Sequence, residues 1–185
     1  MAPDPEAELE ERLDLATLRM APGDGRRLEL PVALDGVRLS TQGYVPEPAT
    51  PTARLDLSRM IGGGYALRLR FSTRVAGPCM RCLQPTAAEI DVDVRELEQK
   101  GRDEQLDSDY VEGDELLLAR WANDSFVFSL PSRILCREDC RGLCPECGAD
   151  LNADPDHRHD QGPDPRWAAL KGLRFDDEGR LVEGQ

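Results

Sequence analysis

The chain has 185 residues, 23 basic and 36 acidic side chains for a formal net charge of −13, and a hydrophobic share of 39%. That length holds one domain, or one plus a small appended module, and excludes a large multidomain enzyme. No apolar run approaches the roughly 20 residues of a membrane-spanning helix, and so acidic a surface repels phosphate over most of its area, which restricts any nucleic-acid contact to local sites.

The first residues, Met1-Ala2-Pro3-Asp4-Pro5-Glu6, have neither the basic start and apolar stretch of a secretion signal nor the arginine-rich character of a transit peptide. A cytoplasmic chain is expected, in which closely spaced cysteines point to metal binding or catalysis rather than disulfides. Glu6, Glu8, Glu10 and Glu11 with Leu9, Leu13 and Leu18 suit a short acidic helix or a frayed arm. Two short strands are expected between Arg27 and Ser40. The stretch Tyr44–Pro51 carries three prolines and predicts an irregular loop.

Residues 53–97 alternate as strands do. Leu55 and Leu57 precede a Gly62-Gly63-Gly64 turn; Tyr65, Leu67, Leu69, Phe71 and Val75 then alternate with Arg68, Arg70, Ser72 and Arg74. Ile90, Val92 and Val94 alternate with Glu89, Asp91 and Asp93. A hairpin with Met80 and Arg81 at its tip opposes Leu67 to Val94, Leu69 to Val92 and Phe71 to Ile90, and pairs Arg68 with Asp93 and Arg70 with Asp91. That pairing neutralises most of the arginine-rich segment from Arg54 to Arg81, leaving Arg59, Arg74 and Arg81 as phosphate contacts.

Residues 101–115 read as an acidic, solvated linker, with docking of a basic partner as the alternative. Leu117, Trp121 and Phe128, with Leu118 and Ala122, predict one amphipathic helix ending before Pro131, with Trp121 in the core. Asp164-Pro165-Arg166-Trp167 predicts the start of a short C-terminal helix carrying Trp167, Leu170 and Leu173 on one stripe.

All six cysteines fall in two clusters, Cys79-x2-Cys82 and Cys136-x3-Cys140-x3-Cys144-x2-Cys147, the second followed by the chain's two histidines, His157 and His159. Eight soft ligands are two sets of four, and a structural zinc takes four in a closed tetrahedral shell. Cys-x2-Cys lets a tight turn present two thiolates to one ion, and Gly148 and Pro145 suit such a knuckle. Proximity favours Cys144, Cys147, His157 and His159 as one set and Cys79, Cys82, Cys136 and Cys140 as the other. One zinc on Cys136, Cys140, Cys144 and Cys147, with Cys79 and Cys82 free, is the alternative; two sites are preferred because the single site strands a thiol pair. A dithiol redox centre is disfavoured, since Cys79-x2-Cys82 lies between strands rather than at the start of a helix. Nothing in the spacing of Glu138 or Glu146 singles out a catalytic base.

The tip Cys79-x-Arg81-Cys82-Leu83, Leu130-Pro131, the run from Leu135 through Cys136, Cys140, Cys144-Pro145-Glu146-Cys147-Gly148 to Asn152, and Asp164-Pro165-Arg166-Trp167 together resemble the YceD-type large-ribosomal-RNA-subunit accumulation proteins, from about Leu28 to Leu173. The family form carries Cys-x-Cys where this chain has His157-x-His159, an exchange of one zinc ligand type for another. The resemblance implies pairing of Cys79 and Cys82 with Cys136 and Cys140. It also implies a non-enzymatic role with no membrane and no small-molecule substrate: supporting large-subunit rRNA through precursor rRNA or an early assembly intermediate. The strongly negative charge makes contact through a basic ribosomal protein a serious alternative.

The expected architecture is α+β: an antiparallel sheet, as a meander or partly open barrel, with one amphipathic helix and a C-terminal Cys/His zinc-knuckle module holding two structural zincs. The expected divisions are an arm at 1–26, a sheet body with linker and helix at 27–130, the zinc module with a short helix at 131–175, and a tail at 176–185. The zinc module carries seven basic and eight acidic residues. With the hairpin tip it is therefore the least repulsive place for RNA, through Arg74, Arg81, Arg133, Arg137 and Arg141. A redox-sensing zinc protein that exposes a client surface when its thiolates oxidise is the alternative function, and a zinc-dependent transcription factor is disfavoured by the lack of a basic recognition helix.

Overall fold

The computed structural model describes residues 12–99, 107–159, 166, 173–175, 179 and 181–182. Alternating apolar positions put one face of each long strand into the core and make an antiparallel sheet the dominant element. Strand β2 (Gly25–Pro31) pairs with β5 (Thr52–Arg59), and β5 with the first half of β6 (Tyr65–Pro78). The second half of β6 takes β4 (Gln42–Glu47), which carries β3 (Val37–Leu39). The other edge of β6 pairs along its whole length with β7 (Pro85–Glu98), and the sheet stays open rather than closing into a barrel.

The β6–β7 register differs from the sequence expectation. Leu69 faces Val94, Phe71 faces Val92 and Arg70 faces Asp93, so every register partner lies two residues from its expected place, although Arg68 still ion-pairs with Asp93 as expected. The tip is not a two-residue turn: Pro78 pairs with Pro85, and Cys79–Gln84 form a six-residue loop. Because side chains alternate with period two, a shift of two keeps each residue on its expected face. Leu67, Leu69, Phe71, Ile90 and Val92 are buried as the alternation requires.

Tyr44–Glu47 is strand, not loop. Pro46 lies beyond Val37, the first residue of β3, so among the described residues β6 is its one strand neighbour, a place where a proline without an N–H is tolerated. Tyr44 is fully buried, donates its hydroxyl to the Pro78 carbonyl at 2.9 Å and covers Gly77, where a Cβ would come within 2.2 Å of its ring.

Helix α1 (Leu118–Phe128) closes the core with Leu118, Trp121, Ala122 and Phe126. Asn123 fastens the β2–β3 connection to it, donating to Ala33 O at 2.9 Å and accepting from Asp35 N–H at 2.7 Å. Trp121 is core as expected. Phe128 is not: it is 86% exposed on the last turn, at the flank of the buried stripe, and Phe126 takes the core position.

At the chain start the expected helix is a two-residue strand, β1 (Leu13–Asp14), and a 3-10 turn, Leu15–Leu18, capped by Asp14; the rest of that segment lies outside the described residues. β1 pairs with β9 (Glu115–Leu116), and β9 with β8 (Val111–Glu112), so part of the acidic linker is a small sheet. The predicted C-terminal helix falls outside the described residues save Arg166 and Leu173. Among the described residues no helix is long and apolar enough to cross a membrane.

Candidate metal centres

The loop between β6 and β7 has the backbone of a metal knuckle. Cys79 N–H donates to Gln84 O at 2.8 Å, and Leu83 N–H returns to Cys79 O at 3.0 Å, with Leu83 in the left-handed region at φ 63°. Both sulfurs then point at the 134–140 segment, which is docked by Met80 N–H to Ile134 O at 2.9 Å and by Thr86 Oγ1 to Leu135 O at 3.3 Å. Cys79 Sγ lies 3.8 Å from Cys140 Sγ, and Cys82 Sγ lies 3.5 Å from Cys136 Sγ. Cys79, Cys82 and Cys140 are buried beneath Leu135 and Leu143, while Cys136 is exposed.

The second knuckle repeats the first. Cys144 N–H donates to Ala149 O at 2.8 Å, Gly148 N–H returns to Cys144 O at 2.8 Å, and Gly148 has φ 74°. His157 and His159 complete it through their Nε2 atoms, 2.9 Å apart. Cys147 Sγ is 3.2 Å from His157 and Cys144 Sγ 3.2 Å from His159. Their outward Nδ1 atoms face carboxylates, Asp154 at 3.7 Å and Glu146 at 3.4 Å, as the outer partners of ligating histidines usually do.

The eight donors therefore form two quartets, Cys79–Cys82–Cys136–Cys140 and Cys144–Cys147–His157–His159, each with its ligand atoms within 4.8 Å of one another. A tetrahedral zinc with Zn–S bonds of about 2.3 Å has S···S edges of about 3.8 Å, and N···N edges of about 3.3 Å for bonds near 2.0 Å. The first quartet matches these edges and the second is a few tenths of an ångström tighter, so both fit a metal of this size. An ion in either place would cross-link separate segments of chain. Four thiolates and a divalent cation leave a charge of about −2 in the first site, and two thiolates with two neutral imidazoles leave the second about neutral.

Two of the thiols, Cys79 and Cys144, are already biased towards ligation. Burial opposes ionisation of Cys79, but the N–H groups of Cys82, Arg81 and Cys136 outweigh it and bring the thiol down to about 6. Cys144 is likewise lowered to about 6 by the N–H groups of Cys147 and Glu146. Cys136, hydrogen-bonded to Cys82 and desolvated, is pushed up to about 12. Without a cation such a cluster does not ionise fully; a bound metal deprotonates its thiols outright.

Asn152 joins the two centres, a role that its place after the second knuckle did not announce. Its Nδ2 contacts Cys140 Sγ at 3.7 Å, and its Oδ1 accepts from Arg141 N–H at 2.8 Å and from Arg137 at 2.7 Å. Leu143 N–H reaches Arg81 O at 3.2 Å, and a Cβ on Gly142 would stand 2.9 Å from that same oxygen.

The structure gives several of the expected RNA contacts internal work. Arg81 spans the first centre to Cys140 O at 2.6 Å, Arg141 holds Pro155 O at 3.1 Å, and Arg137 holds Asn152 and Asp139. Arg74 pairs with Glu47 at 3.4 Å, and Arg59 stacks over Tyr65 at 4.4 Å. Arg133 is exposed at the edge of the module.

The family described as Large ribosomal RNA subunit accumulation protein YceD matches residues 67–174, over half of the chain. The chain belongs to the YceD family. The chain is also similar to uncharacterized proteins of Mycobacterium tuberculosis and Mycobacterium bovis, each 41% identical over 127 residues, covering 64% of this chain and 61% of theirs. One of Mycobacterium leprae is 32% identical over 111 residues, covering 57% and 51%. The chain thus aligns with less than two thirds of the length of these relatives. No solved structure matches it.

Proposed function

We propose that the protein is a non-enzymatic cytoplasmic factor that supports accumulation of large-subunit ribosomal RNA by holding precursor rRNA or an early large-subunit assembly intermediate. Membership of a family whose description names that accumulation carries the reading. The metal centres are consistent with it: each has four protein donors, a complete shell for a structural ion with no position left for a substrate. Zinc in the first quartet fastens the β6–β7 tip to the 134–140 segment, zinc in the second ties Cys144 and Cys147 to His157 and His159, and together they present one rigid surface. The direct test is depletion of the protein in growing cells with quantification of both ribosomal RNAs. Large-subunit rRNA falls relative to small-subunit rRNA if the reading is right, and an unchanged ratio contradicts it.

A redox-sensing role is favoured by one observation, the exposure of Cys136 and Cys147 at the rim of the two quartets. A sensor releases zinc and forms Cys79–Cys82 or Cys144–Cys147 disulfides at low peroxide dose, whereas a structural site keeps its metal.

A further inference from the structure

The solvent face of the sheet carries charge in cross-strand rows, and the observed register fixes which charges meet. One row runs Arg27, Asp56, Arg68, Arg95 across β2, β5, β6 and β7; the next runs Glu29, Arg54, Arg70, Asp93. Five arginines thus face three carboxylates. Asp93 is taken by Arg68 through two hydrogen bonds, of 2.7 and 2.5 Å. Arg70, which the sequence pairs with Asp91, turns instead to Asp56, already held by Arg27 at 2.7 Å and Arg54 at 3.5 Å.

Three guanidinium groups therefore share one carboxylate; the buried Nε of Arg70 has no hydrogen-bond acceptor, and that of Arg54 meets Asp56 only as the 3.5 Å ion pair, without a hydrogen bond. Arg68 stands directly opposite Arg95, a like-charge pairing that lowers sheet stability on its own and is relieved by an anion between them. Nearer the knuckle the balance reverses, with Glu47, Glu89 and Asp91 around Arg74. On a chain of net charge −13 these two rows carry a local excess of two positive charges. Their basic residues are all arginine, whose planar fork meets phosphate oxygens in pairs. At the β2–β5 edge the patch opens into a hollow of about 310 Å³ lined by Arg27, Asp56 and Ser58.

We infer that this face, through Arg27, Arg54, Arg68, Arg70 and Arg95, is the contact for an RNA phosphate backbone. The inference rests on the proposed rRNA role and moves the RNA contact from the metal module to the sheet.

The test measures binding of the purified full chain to transcripts tiling large-subunit rRNA, over a range of salt. The face variant is Arg27→Gln with Arg95→Gln. The control, Arg38→Gln with Arg120→Gln, removes equal charge from exposed positions elsewhere. The face variant is expected to bind about tenfold more weakly, with a salt slope smaller by about 1.4–1.8 for two lost phosphate contacts, and the control within about twofold of wild type. Arg95→Gln alone, which breaks no ion pair among the described residues, shows part of the same loss if the double variant folds poorly.

Equal weakening of face and control variants, or no weakening of either, overturns the inference. Absence of wild-type binding to every transcript also overturns it. The depletion experiment is scored separately: a fall in large-subunit rRNA then keeps the proposed role and assigns the contact to a protein partner.

Discussion

Leu83 and Gly148 occupy the same place in two copies of one turn. Each lies four residues after a first knuckle cysteine, donates its N–H to that cysteine's carbonyl and sits in the left-handed region, at φ 63° and 74°. The chain solves the same coordination problem twice, once with the residue that adopts this conformation freely and once with one that does not.

The asymmetry predicts opposite effects of exchanging them. A Cβ on Gly148 meets nothing within 4 Å, so Gly148→Ala costs only the left-handed penalty, about 1 kcal/mol. Leu83 is half-exposed, and Leu83→Gly relieves its strain for little lost burial, a net gain of about 0.5 kcal/mol after glycine's entropy cost. Urea unfolding of the metal-loaded variants checks both signs.

Asn152 is expected to act on the first centre from outside it. Asn152→Ala removes its contacts with Cys140 Sγ, Arg141 N–H and Arg137, and loss of such an outer partner weakens metal binding by about 10–100-fold. Competition with a chelator should therefore release the first ion earlier in the variant than in wild type. Unchanged release would mean that Asn152 only closes its own turn.

How much of this was legible follows from what each signal measures. Cysteine spacing carries chemistry directly, so both quartets were readable from Cys79-x2-Cys82, Cys144-x2-Cys147 and the paired histidines. Alternation reports which face a residue takes and not its partner, so the burial of Leu69 and Val92 was readable while their register was not. The six-residue knuckle displaced that register by two, and with it the partner of Arg70. Tyr44 was hidden because prolines signal irregular backbone, and nothing local shows that Pro46 lies opposite chain that has not yet entered β3. Asn152 bears no motif; its role exists only once the two knuckles are folded against each other.

The helix buries Phe126 rather than Phe128, which the sequence places on the stripe. Phe126 is fully buried, so Phe126→Ala should cost about 3–5 kcal/mol, as should Trp121→Ala. Phe128→Ala, on a side chain 86% exposed, should stay within about 0.5 kcal/mol of wild type. Thermal unfolding of the three variants distinguishes them.

Asp56 makes stability depend on pH in a known direction. The hydrogen bond from Arg27, opposed by burial and reinforced by Arg70 and the charge of Arg54, lowers its carboxyl from 3.8 to about 2. A folded value below the unfolded one means the ionised network adds stability that is fully present above about pH 4 and is lost as pH falls towards 2. Asp56→Asn should therefore lower stability by on the order of 1 kcal/mol at neutral pH, allowing for solvent screening. The difference from wild type should shrink between pH 4 and 2 in parallel denaturation curves.

Whether these eight side chains form two closed metal centres is read out by native mass spectrometry of the purified chain. Two divalent ions per chain, zinc in each place, are expected, falling to one in Cys82→Ser and to one in Cys147→Ser, each variant keeping the ion of the untouched quartet. A single ion in the wild-type protein, or two ions retained in both variants, would contradict that expectation.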